Sequence, residues 1–363
     1  MTPTEHGHPQ FDRRHYVARC EEIAFDDIPF DVDAVEAGAW VPGPYGAGDQ
    51  LGSFNEVTPE KSAKALGLLD VTRPVETFNL AETLFNGFPA IGSREFEQRL
   101  YITGFQPRPE FDGIAASTVP HGNNRISTFE ERVTLTYNMG TKINGLHHCG
   151  VANTFYNGFK GDEIAETWGS NRLGTDGLFP IVTRGVLLDV LSYKLDAGGS
   201  DVDIAPNGQP HLRSNYRITV EDLEGALERA ALSTPIEPGD VIVIRTGWRQ
   251  LIETAPDRYI NDLVPGPFLR ETRWLASFRP AVIGIDVWAY GSLDPELDGG
   301  RPCICHQELF MRFGIRIGEA LPSDVLVDAG ITEFVFCFNA QRVRGAVAGN
   351  SPPFALAQRT SGR

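Results

Sequence analysis

The sequence predicts an α/β fold, since short β-branched strands alternate with helices whose ends are marked by capping residues. No repeat, low-complexity tract or Ser/Gly linker divides the chain into separate folding units. With 363 residues the chain can bury a large core. We therefore predict a single α/β domain over residues 41–363. An arm over residues 1–40, polar, irregular and rich in Asp and Glu, precedes it.

Two helices are predicted from signals at their ends. Thr58 is followed by Pro59, and Gly67 closes the segment. Thr caps a first turn, Pro fits the first helical position, and Gly is favoured after the last turn. The second helix begins after Thr219, carries acidic residues in its first turn and runs to about Ala231.

Four apolar runs rich in β-branched residues predict buried strands, because each is bounded by Pro, Gly or Asp. The runs are residues 182–190, 241–245, 281–285 and 333–338. The glycine-rich segment 43–48 has no strand before it and lacks both the dinucleotide-binding spacing and a Lys-Ser/Thr ending. We predict a turn there.

The charge of the chain narrows the classes of partner. It has 48 acidic and 32 basic residues and a formal net charge of -16. This balance opposes binding to a phosphate backbone, so nucleic acid is not an expected ligand. The sequence shows no apolar signal segment near its start and no run of about 18 apolar residues. We expect no membrane partner and a cytoplasmic location.

The five cysteines do not make a disulfide framework in a chain of this length. We expect reduced thiols with packing roles. Cys149 is the exception to test, because it directly follows His148. An adjacent imidazole lowers the pKa of a thiol when the geometry allows it.

The segment 136–148, with the sequence TYNMGTKINGLHH, carries the strongest functional signal. It resembles the H-x-G-T-H-x-D-x-x-x-H motif of the cyclase family, which includes kynurenine formamidase and isatin hydrolase. In that motif two His and one Asp hold a divalent cation. The corresponding positions here are Asn138, Lys142 and Asn144. The segment therefore resembles a metal-binding motif whose metal ligands have been replaced.

Further segments match the same family in order, over roughly residues 40–355. They are residues 48–55 with 58–60, 156–158, 184–189, 246–248, 284–286, 306–307 and 314–319. The resemblance implies the swivelling β/β/α fold of this family, with a central mixed sheet, and an enzyme of the hydrolase class. It also implies a homodimer or homotetramer, the common states of family members.

The replaced residues change what the motif can bind. Asn144 carries no charge where the motif has a bridging carboxylate, and Asn138 offers only an amide oxygen. The ammonium group of Lys142 has three donors and no lone pair, so it opposes a divalent cation. We predict that this first metal site is lost.

The resemblance implies two ligands of a second metal site, His306 and Glu319. Their spacing fits a helix over residues 306–313 followed by a short strand. Two ligands make a weak site, so the favoured expectation is no cofactor, with manganese or zinc as the alternative. Without metal, Lys142 would pair with Glu319 in the vacated space.

Three functions remain open. The favoured one is a metal-independent enzyme that opens or closes the ring of a small cyclic or aromatic amide, lactone or ketone. In it, Lys142 stabilises developing negative charge with Asn138 and Asn144 beside it. His148 matches the last His of the motif, a general acid or base by resemblance, and would move the proton.

The second function is a metal-dependent amide or lactone hydrolase that uses His306 and Glu319. The third is a catalytically inactive homologue that binds a small molecule. In the favoured function His306 and Glu319 orient the substrate, while Trp288 and Phe85 form apolar walls. Phe88, Trp168 and Trp248 are further aromatic residues near matched segments.

Overall fold

The computed structural model describes residues 25–37, 43–101, 123–125 and 130–359. The strands are β1 (Glu76–Asn79), β2 (Phe96–Tyr101), β3 (Glu130–Leu135), β4 (Lys142–Asn144), β5 (Ala165–Glu166), β6 (Gly169–Ser170), β7 (Ile181–Asp189), β8 (Val202–Ile204), β9 (Pro210–Leu212), β10 (Val241–Arg245), β11 (Val282–Ile285), β12 (Arg316–Glu319), β13 (Glu333–Phe338), β14 (Ala348–Gly349) and β15 (Phe354–Ala357). The α-helices are Val32–Glu36, Pro59–Leu66, Gly161–Ile164, Val190–Asp196, Val220–Ala230, Leu251–Thr254, Pro256–Asn261, Leu269–Ser277, Pro295–Asp298, Ile304–Gln307 and Asp324–Asp328. Shorter 3-10 helices are Gly52–Glu56, Tyr156–Gly158, Thr175–Gly177 and Trp248–Gln250, and Glu308–Phe313 is a π-helix.

A mixed sheet of nine strands forms the centre of the described chain, in the order β1-β15-β13-β7-β10-β11-β12-β4-β14. The four inner strands β7, β10, β11 and β12 are parallel. The strands on either side pair in antiparallel orientation. This mixed sheet with helices confirms the predicted α/β class.

The elements predicted from sequence are present. The four apolar runs are β7, β10, β11 and β13, each with ends within one residue of the prediction. The two capped segments are the helices Pro59–Leu66 and Val220–Ala230. The glycine-rich segment 43–48 forms turns. The segment 306–313 is helical and continues into β12, although its second half is a π-helix.

The second helix starts where the sequence indicates, because the side chains and backbone N–H groups at its start form hydrogen bonds with each other. The backbone N–H of Asp222 donates to the hydroxyl of Thr219 over 3.2 Å, and the Asp222 carboxylate accepts from the backbone N–H of Thr219 over 3.0 Å. This reciprocal capping box satisfies two donors that a helix start otherwise leaves free.

The inner strands are buried on both faces. In β10, Val241 and Val243 pack into one apolar cluster, and Ile242 and Ile244 pack into another. Successive side chains of a strand point to opposite faces, so the sheet separates two cores. That is why the sequence of this strand is continuously apolar rather than alternating.

The carboxylate of Asp49 links two of the segments that match the family. Its carboxylate accepts from the backbone N–H of Leu51 over 3.1 Å and of Gly52 over 2.7 Å. It also accepts from the hydroxyl of Tyr156 over 2.9 Å. The segments 48–55 and 156–158 therefore hold each other in place.

The described part of the predicted arm, residues 25–37, lies against the domain. Asp26 accepts a hydrogen bond from Arg273 over 2.6 Å, and Asp27 accepts from Arg217 over 2.8 Å. Residues 1–24 and 38–40 of the predicted arm lie outside the described residues. The division into an arm and a single domain stays a prediction.

None of the helices in the described part of the chain combines the length and apolar character needed to cross a bilayer.

Gly185 allows a close approach between two paired strands. It lies opposite Phe334, and a Cβ at this position would collide with the Phe334 ring. We expect Gly185→Ala to lower the free energy of unfolding by about 1–3 kcal/mol, the usual cost of overpacking a core. Urea denaturation measures this, with Gly177→Ala as the control, because an added Cβ at Gly177 meets no atom within 4 Å. Equal stability of the two variants would contradict the packing argument.

Candidate functional site

The candidate site lies where β12 ends beside β4. The antiparallel register of these strands places Glu319 opposite Lys142. The side chains of Lys142 and Glu319 are 1% and 3% exposed. A charged pair is therefore buried at the edge of the parallel part of the sheet.

Glu319 accepts from four donors. One carboxylate oxygen lies 3.0 Å from Nζ of Lys142 and 3.0 Å from the amide nitrogen of Asn144. The other lies 2.8 Å from the backbone N–H of Tyr290 and 2.9 Å from Nε2 of His306. These donors come from β4, from the loop after β11 and from the helix Ile304–Gln307, so a single carboxylate joins three elements.

The protonation states in this cluster follow from burial and charge. Burial alone would raise the pKa of Glu319, but Lys142 and the His306 hydrogen bond outweigh it and hold the pKa well below its usual value. Burial lowers the pKa of Lys142, against the opposing effect of Glu319. Burial would also lower the pKa of His306, but the hydrogen bond to Glu319 raises it. The cluster therefore contains an ionised carboxylate between two basic groups.

His148 is held as a neutral base beside this cluster. The side-chain nitrogen of Asn138 lies 3.0 Å from its Nε2, and because an amide nitrogen only donates, the imidazole nitrogen accepts. Burial, followed by the charge of His306, lowers the pKa of His148 to about 3. The rings of His148 and His306 lie edge to face, with centroids 6.2 Å apart.

The loop that follows β11 is fixed by Asp286. Its carboxylate accepts from the backbone N–H of Thr246 over 2.9 Å and of Gly247 over 2.7 Å. This bond ties together two of the matched segments, 246–248 and 284–286. It positions Trp288, whose carbonyl oxygen accepts from Nζ of Lys142 over 3.1 Å.

A small cavity of about 10 Å³ opens beside Lys142. Its lining includes Phe88, Arg94, Asn138, Lys142, Tyr259 and Trp288. This volume is about enough for one water molecule. Three larger cavities, of about 330, 610 and 370 Å³, occur elsewhere, and the charged cluster lines none of these three. We assign the site by its chemistry rather than by cavity size.

Four buried polar atoms around the cluster have no hydrogen-bond partner within the described residues. They are Oδ1 of Asn138, Oδ1 of Asn144, Nδ1 of His306 and Nε1 of Trp288. A buried polar group without a partner is costly, and such groups occur where a ligand or water completes the bonding. The cavity therefore has both donors and acceptors to offer.

The residues present do not fit a divalent metal ion. Within the described chain no group of three or more His, Cys, Asp or Glu residues could hold one. Glu319 and His306 hydrogen-bond each other, and the ammonium of Lys142 lies against the same carboxylate. A cation placed there would meet a positive charge and at most two strong ligands.

The structure brings together all but one of the predicted site residues. Lys142, Asn144, His306 and Glu319 form the hydrogen-bonded cluster. It contains the predicted pairing of Lys142 with Glu319. Asn138, Trp288 and Lys142 line the cavity, and His148 is hydrogen-bonded to Asn138.

Phe85 lies outside the cavity. Its ring packs edge-on against Phe88, with centroids 5.4 Å apart, and it borders a separate cavity with Ile252 and Pro256. Phe88 takes the predicted place of Phe85 as an aromatic wall. Neighbouring aromatic residues of a loop cannot be ranked from sequence, because a loop has no periodicity that reveals its inner face.

Arg94 and Tyr259 line the cavity but were not predicted as site residues. Neither lies in a matched segment. Arg94 lies in the loop before β2, and Tyr259 lies in the helix Pro256–Asn261. Trp248 is fully buried and donates to the backbone of Tyr259 over 3.2 Å, so its role is packing.

The alternative that His148 lowers the pKa of Cys149 is not supported. A hydrogen bond with Cys303, together with burial, raises the pKa of Cys149. The same bond lowers the pKa of Cys303 to about 6. The described cysteines are free thiols.

The chain is similar to known proteins both in sequence family and in fold. The model of the Cyclase family matches residues 69–292, more than half of the chain. A crystal structure described as a novel cyclase has 24% identity and a TM-score of 0.72, and covers 90% of this chain and 99% of its own. Isatin hydrolase A from Ralstonia solanacearum has 14% identity and a TM-score of 0.54, with coverage of 78% and 92%.

Isatin hydrolase A from Labrenzia aggregata, bound to benzyl benzoate, has 14% identity and a TM-score of 0.52, with coverage of 78% and 93%. No curated protein matches the sequence significantly. At these identities the solved structures establish the fold alone.

Replacing the Glu319 carboxylate tests the buried cluster. Glu319→Gln leaves Lys142 buried without its counter-charge, and we expect a loss of about 3–5 kcal/mol in unfolding free energy. Glu76→Gln is the control, because the Glu76–Arg359 pair is exposed and such pairs contribute at most about 1 kcal/mol. Urea denaturation compares both variants with the unaltered protein. Losses of similar size would contradict the assigned role of Glu319.

The two site histidines should titrate differently. A lowered pKa keeps His148 neutral from about pH 8 down to about pH 5, whereas a raised pKa keeps His306 protonated above pH 6.5. NMR of ¹³C-histidine-labelled protein, with signals assigned from His148→Gln and His306→Gln, follows each ring. A His148 midpoint between about pH 6 and 7 would refute the neutral-base assignment.

Proposed function

The chain belongs to the cyclase family, and we propose that it is an enzyme that opens or closes the ring of a small carbonyl compound without a metal ion. In this proposal Lys142 supplies the positive charge that the family motif obtains from a divalent cation. The observation that carries the proposal is the fixed ammonium of Lys142. Glu319 and the carbonyl of Trp288 hold it at the cavity wall, near the neutral base His148.

The ammonium group stabilises negative charge on a carbonyl oxygen. During attack on an amide or lactone carbonyl, the oxygen gains charge, and a preorganised positive group lowers the barrier to that step. Lys142 is already positioned by two bonds, so little reorganisation accompanies the reaction. Glu319 fixes the ammonium rather than reacting, because its carboxylate already accepts four hydrogen bonds.

His148 moves the proton. In ring opening, the attacking water displaces the amide nitrogen of Asn138 from Nε2, and Nε2 then takes a proton from that water as the water oxygen bonds to the carbonyl carbon. The bond from that carbon to the ring nitrogen or oxygen then breaks, and His148 returns the proton to the leaving atom. Asn138 lies next to Nε2 and offers an acceptor oxygen without a partner. Ring closure is the reverse of these steps.

The walls of the cavity suit a small ring. Phe88 and Trp288 supply aromatic surface. At about 10 Å³ the cavity is too small for such a ring, so entry requires the wall segment of residues 88–94 to move outward. Isatin, an aromatic ring fused to a cyclic amide, is the first substrate to test, since isatin hydrolases share the fold.

A second candidate is a metal-dependent hydrolase using His306 and Glu319. The observation that favours it is Nδ1 of His306, which is buried and has no partner among the described residues. The arrangement of Lys142 opposes it. The homodimer or homotetramer and the cytoplasmic location stay predictions.

Lys142→Met tests the proposed function, with turnover of isatin and of other small cyclic amides and lactones measured after dialysis against EDTA. We expect kcat to fall by about 10²–10³, the usual effect of losing one charge-stabilising group. Lys64→Met is the matched control, because Lys64 is exposed and pairs with Glu237.

We expect His148→Gln to lower kcat by about 10²–10⁴. Loss of activity on dialysis, with recovery on adding manganese or zinc, would instead support the metal-dependent hydrolase. Absence of turnover for every compound of the panel would contradict the enzyme proposal in both forms.

A further inference from the structure

Arg94 places a positive charge at the cavity without a compensating carboxylate. It lines the cavity together with Lys142 and Trp288. Within the described residues its guanidinium forms no salt bridge, although more than half of the described arginines do. Its charge reaches the cluster, because it contributes to lowering the pKa of Lys142 and of His148. An acidic chain that leaves a cation unpaired at its site has room there for an anion.

Two neutral donors line the same cavity. The hydroxyl of Tyr259 and Nε1 of Trp288 are buried and have no hydrogen-bond partner in the described part of the chain. Tyr259 is fully buried, so water does not satisfy its hydroxyl by ordinary surface exposure. A guanidinium, a hydroxyl and an indole N–H together match a carboxylate, which has two oxygens that only accept.

From this arrangement we infer that Arg94, with Tyr259 and Trp288, binds an anionic group of the substrate. The inference rests on the proposed function and names its substrate class, a small ring carbonyl compound that carries a carboxylate. Lys142 is paired with Glu319, and the proposed function assigns its ammonium to the reacting carbonyl. The charge of Arg94 remains for the carboxylate.

Oδ1 of Asn138 is a buried acceptor without a partner in the described residues, and it adds a second requirement for the ligand. It lies in the same cavity as Arg94 and needs a donor. A ligand with an N–H or O–H group beside its ring would satisfy it. The site therefore selects for an acceptor-only group at Arg94 and for a donor at Asn138.

Binding of matched ring acids and amides tests the inference. The probes are benzoate and 2-hydroxybenzoate, each compared with its own carboxamide, and calorimetry measures affinity without turnover. We expect both acids to bind the unaltered protein at least about tenfold more tightly than their amides. In Arg94→Gln we expect acid affinity to fall by about ten- to a hundredfold and amide affinity to stay constant, as for loss of a charged hydrogen bond.

Two further variants complete the design. Arg94→Lys keeps the charge without the two-pronged geometry and should restore part of the preference. Arg229→Gln is the matched control, because Arg229 is an exposed residue paired with Asp196, and it should keep the preference in full.

Three results would overturn the inference. They are no preference for acids in the unaltered protein, an unchanged preference in Arg94→Gln, or a preference lost in Lys142→Met instead. Because binding is measured without turnover, failure here leaves the catalytic role of Lys142 standing. Conversely, if Lys142→Met turns over substrate normally and keeps the preference for acids, the proposed mechanism fails and the anion site stands.

Discussion

The structure around the site depends on burying the carboxylate of Glu319. A buried charge is tolerated only when it is paired and fully hydrogen-bonded, because leaving water costs several kcal/mol. Glu319 meets this condition with donors from Lys142, Asn144, Tyr290 and His306. Each donor must then stay in place, so the strand β4, the loop after β11 and the helix Ile304–Gln307 are held to one another. Moving any of these elements would remove a donor from the buried carboxylate.

The same constraint applies to the positions where the family motif has metal ligands. A lysine ammonium and a divalent cation both neutralise a carboxylate, but the lysine is attached to the chain and does not exchange. At position 144, where the family motif has Asp, the neutral amide of Asn144 donates to Glu319 and adds no buried negative charge. Lys142 and Asn144 are therefore mutually consistent, because a carboxylate at position 144 would add a second buried negative charge beside Glu319.

The cavity is bordered by Lys142 of the charged cluster on one side and by the segment 88–94 on another. The residues of the charged cluster lie on β4, β12 and the helix Ile304–Gln307, and on the loop after β11. Asp286 holds that loop by accepting from Thr246 and Gly247. The wall segment 88–94 has no helix or strand of its own. The charged cluster is thus fixed by hydrogen bonds between regular elements, whereas the segment 88–94 beside it belongs to a loop.

The α/β class, the strands β7, β10, β11 and β13, and the capped helices could be predicted from the sequence, because apolar periodicity and end signals are local properties. It also indicated most of the site, since the residues in the matched segments lie together in the structure. The packing of the folded chain was needed to show that Phe88 rather than Phe85 lines the cavity, and that Arg94 and Tyr259 line it too. The same holds for the hydrogen bond between Cys149 and Cys303, which are far apart in sequence. These contacts depend on how loops cross the ends of the strands, and no local pattern in the chain records that.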